Sequence, residues 1–196
     1  LSSDYRKRIA LDGSIHGGVS PLYDGYKLGY RLSPRIRLND KWFTSYIFST
    51  EKRVNNTGYT LTYTDNPIFA IRDISFITNV LEMQYVMNNK MSANIKVRHH
   101  WEQVSNHSFH GINNQGFLTT SNYQGSHDVN FNAWNIDLSY SWWFAPGSEL
   151  SIVWKNAILT QGDKVENHYL DNAEALFNNP KENSLSLKLR YYLDYQ

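Results

Sequence analysis

Residues Ala133 to Lys155 read AWNIDLSYSWWFAPGSELSIVWK, and their pattern decides the fold class. In an extended chain successive side chains alternate between two faces. Trp134, Ile136, Leu138, Tyr140, Trp142 and Phe144 therefore share one face, while Asn135, Asp137, Ser139 and Ser141 share the other. Ala145-Pro146-Gly147-Ser148 then supplies a fixed φ and a permissive glycine, a turn after which Leu150, Ile152 and Trp154 resume the apolar face. The stretch is a β-hairpin with one wholly apolar side ending in aromatics. A strand between hydrocarbon and a wet lumen needs such a side.

Working outward, the same alternation returns. Tyr26, Leu28, Tyr30, Leu32, Pro34, Ile36 and Leu38 oppose Lys27, Gly29, Arg31, Ser33, Arg35 and Arg37. Proline cannot donate to a ladder, so a bulge or break is expected at Pro34. Met91, Ala93, Ile95, Val97, His99 and Trp101 alternate with Lys96, Arg98, His100 and Glu102, and Leu81 and Met83 oppose Glu82. Leu185, Leu187, Leu189, Tyr191 and Leu193 oppose Lys188, Arg190 and Asp194. A weaker strand covers Tyr5 to Gly18, and Trp42 to Arg53 has mixed faces. Val54 to Arg72 reads as a polar connection in which Tyr59 to Tyr63 could extend the strands. Ser105 to Asn130 and Leu159 to Asn183 read as long loops, the latter with a short helix behind an Asp171/Glu174 capping box.

The expected fold is thus all-β: an antiparallel transmembrane β-barrel of about eight strands, or the C-terminal strands of a larger one, with residues 1–196 as a single unit. Tight turns at Asn39-Asp40, Asn88-Asn89 and Pro146-Gly147 alternate with longer loops, and both termini fall at the tight-turn end. The expected lipid-facing residues are Tyr26, Leu28, Tyr30, Leu32, Ile95, Val97, Trp134, Ile136, Leu138, Tyr140, Trp142, Leu150, Ile152, Trp154, Leu185, Leu187, Leu189, Tyr191 and Leu193. The expected lumen-facing residues are Lys27, Arg31, Arg35, Arg37, Glu82, Lys96, Arg98, Glu102, Asp137, Lys188, Arg190 and Asp194. Cations outnumber carboxylates among them. The interior is either an anion-selective wall or an ion-paired plug.

Composition limits the function classes. The net charge of +1 gives no argument for nucleic-acid binding. With no cysteine, disulfides and thiolate metal sites are excluded. Fourteen tyrosines and six tryptophans in a chain of mean hydropathy −0.55 suit aromatic girdles on a polar barrel. No run approaches the ~20 apolar residues of a membrane-spanning helix. The start, LSSDYRKR, has neither initiator Met nor signal peptide, so an exported protein would be represented here by a mature or truncated piece.

No catalytic constellation stands out. His99 and His100 are adjacent on a strand and point to opposite faces, so they cannot share one ion. No G-x-S-x-G and no phosphate-binding glycine loop occurs. No catalytic, cofactor or metal residues are assigned. Loop aromatics Tyr59, Tyr63, Phe109, Phe117, Tyr123, Tyr169 and Phe177 either stack on sugars or pack the loops.

The runs NNKMSANIKVRHHW, FNAWNIDLSYSWWFAPGSELSIVWKN and NSLSLKLRYYLDYQ, with YRLSPRIRLNDKWF and FAIRDISFITN earlier, resemble the C-terminal β-barrel domain of unknown function of a Bacteroidota group. In that group the barrel follows an N-terminal carbohydrate-binding-module-like sandwich. The resemblance covers nearly the whole chain and implies an outer-membrane location and a missing N-terminal remainder, but no catalytic residues. Gln196 after Tyr195 departs from the terminal aromatic many outer-membrane proteins use. The functional expectation is a non-enzymatic pore, uptake or surface-binding component. Its partners are outer-membrane lipid, with glycans or other surface proteins beyond it. Two alternatives stand: an outer-membrane hydrolase with its site at the loop rim, and a soluble β-barrel or sandwich binder.

Overall fold

The computed structural model describes residues 1–165 and 168–193, so Asp194 and the terminal Tyr195-Gln196 lie outside the described residues. Strands account for 72% of the described residues. They are β1 (Ile9–Ser20), β2 (Gly25–Arg37), β3 (Trp42–Tyr63), β4 (Asn66–Asn88), β5 (Met91–Ile112), a three-residue β6 (Leu118–Thr120), β7 (Val129–Ala145), β8 (Ser148–Gly162) and β9 (Glu182–Arg190). A 3-10 turn at Leu22–Asp24 joins β1 to β2, and an α-helix, α1 (Tyr169–Phe177), interrupts the β8–β9 connection. All nine strands form one antiparallel sheet in the order β1-β2-β3-β4-β5-β7-β8-β9, with β6 beside the far end of β5.

The sheet is open. Among the described residues β1 pairs only with β2 and β9 only with β8, apart from Ser2 and its neighbours, which fold back onto Leu11 to Gly13. It is therefore not closed into a barrel of its own, the first of the two forms expected from the sequence, and it is not a two-sheet sandwich. All-β and antiparallel stand. Closure would need the outer edges of β1 and β9 to meet, and they do not.

Several loop expectations are corrected. The Val54 to Arg72 connection is strand throughout: β3 runs to Tyr63 and turns back at Thr64-Asp65, whose φ of 48° and 61° make a two-residue hairpin without glycine. β5 continues to Ile112 through the segment expected to be loop, and β8 continues to Gly162. At Pro34 the expected break is present without a bulge: the β2–β3 pairing skips Ser33 and Pro34 and resumes in the same register, and Pro34 faces Leu11 on β1. Tyr191 and Leu193 lie beyond β9 as exposed coil. The helix begins at Tyr169, two residues before Asp171, and His168 at its N-cap makes no side-chain capping bond. Asp171 instead sits in the first turn, where its charge favours the helix dipole.

Burial is uneven. Ile68, Ala70, Ile74, Trp101, Val104, Ile158 and Leu176 are all below 9% exposed and lie towards the long-loop end. On the outer strands β1, β2 and β9 the apolar residues stay open, with Ile15 at 81%, Leu28 at 56% and Leu187 at 67% exposure. The accessible surface is 13409 Å². A compact monomer of 22.9 kDa would expose roughly 9,600 Å².

Candidate functional site

The pairing registers carry each face of the sheet from strand to strand, because directly opposed residues share a face. On one face Tyr30 opposes Thr50, Leu32 opposes Phe48, Tyr46 opposes Leu81, Leu81 opposes Val97, Val97 opposes Ile136 and Ile152 opposes Leu187. Every expected lipid-facing residue within a strand falls on this apolar face. On the opposite face Arg31 opposes Ser49, Glu82 opposes Lys96, Arg98 opposes Asn135, Lys155 opposes Asp137, and Arg190 opposes Glu149. Every expected lumen-facing residue within the described strands falls there.

The polar face is laced with ion pairs. Lys96 lies 2.5 Å from Glu82, Arg98 contacts Asp137, and Lys155 approaches the same carboxylate at 4.0 Å. Arg53 and His16 converge on Glu51 at 2.5 and 2.6 Å. Arg190 reaches Glu149 at 3.8 Å and Arg35 reaches Asp12 at 3.4 Å. The sequence assignment left out Asp12, Glu51 and Glu149, although Asp12 and Glu51 each sit at a polar position of their alternation. Which cation meets which carboxylate depends on register, and register is a long-range property. Among the described residues Lys27, Arg31, Arg37 and Lys188 have no carboxylate within 4 Å, so a net basic strip remains along β2.

The apolar face ends toward the loop end at one level. The first amide or imidazole met on it from the tight turns is Asn79 on β4, His99 on β5, Asn132 on β7 and Asn156 on β8; Asn79 and His99 oppose each other, and Asn132 and Asn156 lie within two residues of their level.

Beyond that limit lies a neutral polar patch under α1. Asn79 and His99 oppose each other directly; the Asn79 amide donates to the Tyr169 hydroxyl at 3.0 Å, and His99 Nδ1 lies 2.8 Å from the same oxygen. Asn172 exchanges two hydrogen bonds with Asn132, at 2.6 and 2.9 Å. Phe177 packs edge-on against Trp134 with centroids 4.9 Å apart. Trp101 and Ile158 are 5% and 2% exposed. Burial raises the Tyr169 phenol above its ordinary pKa, with Tyr46 adding to it. The histidine expectation holds in geometry: His99 faces α1, while His100 on the other side meets Thr78 at 2.7 Å and Glu102 at 3.5 Å.

At the loop rim Ser108 Oγ lies 2.8 Å from His110 Nε2. Among the described residues no carboxylate is bonded to His110; Asp73 pairs with His107 instead, at 3.0 Å. A Ser-His-acid set is not assembled there. No group of three metal-binding side chains occurs among the described residues. Three of the loop aromatics pack on one another: Tyr63 and Phe109 both meet Tyr123 edge-on, at 5.1 and 5.3 Å.

Such a two-faced sheet is what the family comparison meets. Residues 1–196 match the model of a domain of unknown function, DUF5916. The chain belongs to that family. No curated protein and no solved structure matches it. DUF5916 membership agrees with the resemblance to a domain of unknown function, and it spans every element described above.

Proposed function

We propose that this DUF5916 sheet is part of the wall of a transmembrane β-barrel in a Gram-negative outer membrane, wider than its own eight long strands. Its apolar face meets lipid and its ion-paired face meets a wet lumen. The role is non-enzymatic: a pore, uptake or surface-binding component. The association with glycans, the Bacteroidota source and an N-terminal carbohydrate-binding-module-like sandwich rest on the sequence resemblance alone.

One observation carries the reading: the apolar face continues through the pairing registers from β2 to β9, and much of it stays uncovered, with Leu28 at 56%, Leu138 at 39% and Leu187 at 67% exposure. A soluble sheet would bury such a face, whereas a barrel wall turns it to lipid. The height agrees. Tyr26 to Ile36 spans ~34 Å of strand, or ~24 Å along the normal at a tilt of about 45°, against an apolar band of about 25 Å. The ~3,800 Å² of surface above that of a compact monomer also needs a cover, and the absence of a long apolar helix says nothing of strands.

Tryptophan fluorescence tests this. Trp42, Trp134, Trp142 and Trp154 share the apolar face. In vesicles with brominated acyl chains their emission is quenched while aqueous iodide leaves most of it intact. Quenching by iodide without quenching by bromine would refute the membrane reading.

A further inference from the structure

The geometry points to an anion-binding pocket at the tight-turn end of the polar face, built to take a phosphate-bearing ligand. The cavity, about 260 Å³, is lined by Tyr5, Lys7, Arg8, Arg35, Arg37 and Phe43, with Ala10 beside them. Four of these residues are cationic and none is acidic.

The chain segment before β1 forms one wall. Residues Leu1 to Ser3 pair with Leu11 to Gly13 through backbone bonds of 2.9–3.0 Å, which returns Asp4 to Arg8 across the end of the face. The Arg37 N–H donates to the Arg8 carbonyl at 2.7 Å, fixing these two cations side by side. Arg35 lies over the Tyr5 ring, 4.6 Å from its centroid.

The nearby carboxylates are already engaged. Asp12 accepts from Tyr5 at 2.5 Å and from Ser2 at 2.8 Å, and it pairs with Arg35 at 3.4 Å. Asp4 pairs with Arg6 at 3.0 Å. Lys7, Arg8 and Arg37 have no carboxylate within 4 Å among the described residues. This contrasts with the middle of the same face, where Glu82, Glu51 and Asp137 each hold a cation. Guanidinium groups suit phosphate oxygens because their N–H pairs match the fork of the anion. Three uncompensated charges around a concave site favour a polyvalent anion over chloride.

The pocket does not depend on the membrane reading, since it is formed within β1, β2, β3 and the segment before them. Its test is calorimetric titration of the purified full-length protein in neutral detergent with inorganic pyrophosphate. The comparison is between the native protein, the double variant Arg8→Gln/Arg37→Gln, and Arg190→Gln at the far edge of the same face. The expected result is saturable one-to-one binding that weakens with salt, falls at least tenfold in the double variant and is unchanged in Arg190→Gln. Flotation with phosphatidylglycerol or phosphatidylcholine vesicles separates the two sources of phosphate. Binding to the anionic vesicles alone, lost in the double variant, assigns the pocket to a lipid headgroup; pyrophosphate binding assigns it to a soluble ligand. No binding of either, or equal loss in Arg190→Gln, overturns the site. A matching strand signal in circular dichroism for all three proteins keeps misfolding from imitating the expected result.

Discussion

The Tyr169 hydroxyl stands 2.8 Å from His99 Nδ1 across 70 residues of sequence, and this bond ties α1 to the apolar side of the sheet. The same oxygen accepts from Asn79, so one phenol serves two strands, β4 and β5. The helix thus closes the polar patch where hydrocarbon contact would end.

Removing that phenol oxygen is predicted to loosen the helix selectively. Tyr169→Phe removes the partner of His99 Nδ1 and of the Asn79 amide N–H, leaving His99 Nε2 on Asn132 and Asn79 Oδ1 on Tyr46, in a site where His99 is 3% exposed. An unsatisfied buried group costs about 1–3 kcal/mol. Hydrogen exchange should show faster exchange at Asn172 and Leu176 amides, with the Leu81 to Tyr85 amides of β4 unchanged. Equal protection in variant and native protein would remove the bond from the account.

Charge on the apolar face is predicted to be far more harmful than charge removed from the polar one. Leu187→Lys places an ammonium beside Ile152 of β8 on the apolar face; in a barrel wall at mid-depth such a substitution costs about 2–4 kcal/mol. Lys188→Leu, one residue away on the other face, should change stability by less than about 0.5 kcal/mol. Urea unfolding from lipid vesicles measures both.

The ion pairs of the polar face are predicted to contribute little each. Lys96 and Glu82 are 42% and 41% exposed, so solvent screens them. A double-mutant cycle with Lys96→Met and Glu82→Gln should return a coupling of roughly 0–1 kcal/mol, shrinking with salt.

Two glycines separate backbone strain from contact. Gly116 and Gly147 both have positive φ, 85° and 70°. A methyl group on Gly116 meets nothing within 4 Å, whereas one on Gly147 would lie 2.9 Å from Tyr192 Cβ. Gly116→Ala should cost about 1–2 kcal/mol, the left-handed penalty alone. Gly147→Ala should cost measurably more by the same unfolding assay.

What the sequence made legible follows from where alternation survives. In β2, in β7 and in β5 as far as Trp101, period two runs unbroken, and both faces can be read off residue by residue. In β3 the register shifts between Arg53 and Asn56 and again between Tyr59 and Leu61, and β5 slips against β4 near His107. Each bulge inserts one residue and exchanges the faces beyond it, so Val54 to Tyr63 and Ser105 to Ile112 look like polar loop. The Thr64-Asp65 turn lacks the glycine that usually marks such hairpins. The cations of the polar face were readable, but their partners Asp12, Glu51 and Glu149 were not, because register chooses them. Nor does local pattern say that α1 lies on Trp134 through Phe177, or that Asp4 to Arg8 return over Arg37; both depend on contacts distant in sequence.

The most direct test of the central claim uses the absence of native cysteine. Single cysteines are placed at each position from Trp134 to Trp142 in the full-length protein, spin-labelled, reconstituted in bilayers and measured for collision with oxygen and with a water-soluble nickel chelate. Oxygen-dominated collision is expected at the even positions and chelate-dominated collision at the odd ones. Uniform chelate access, or the opposite phase, would contradict it.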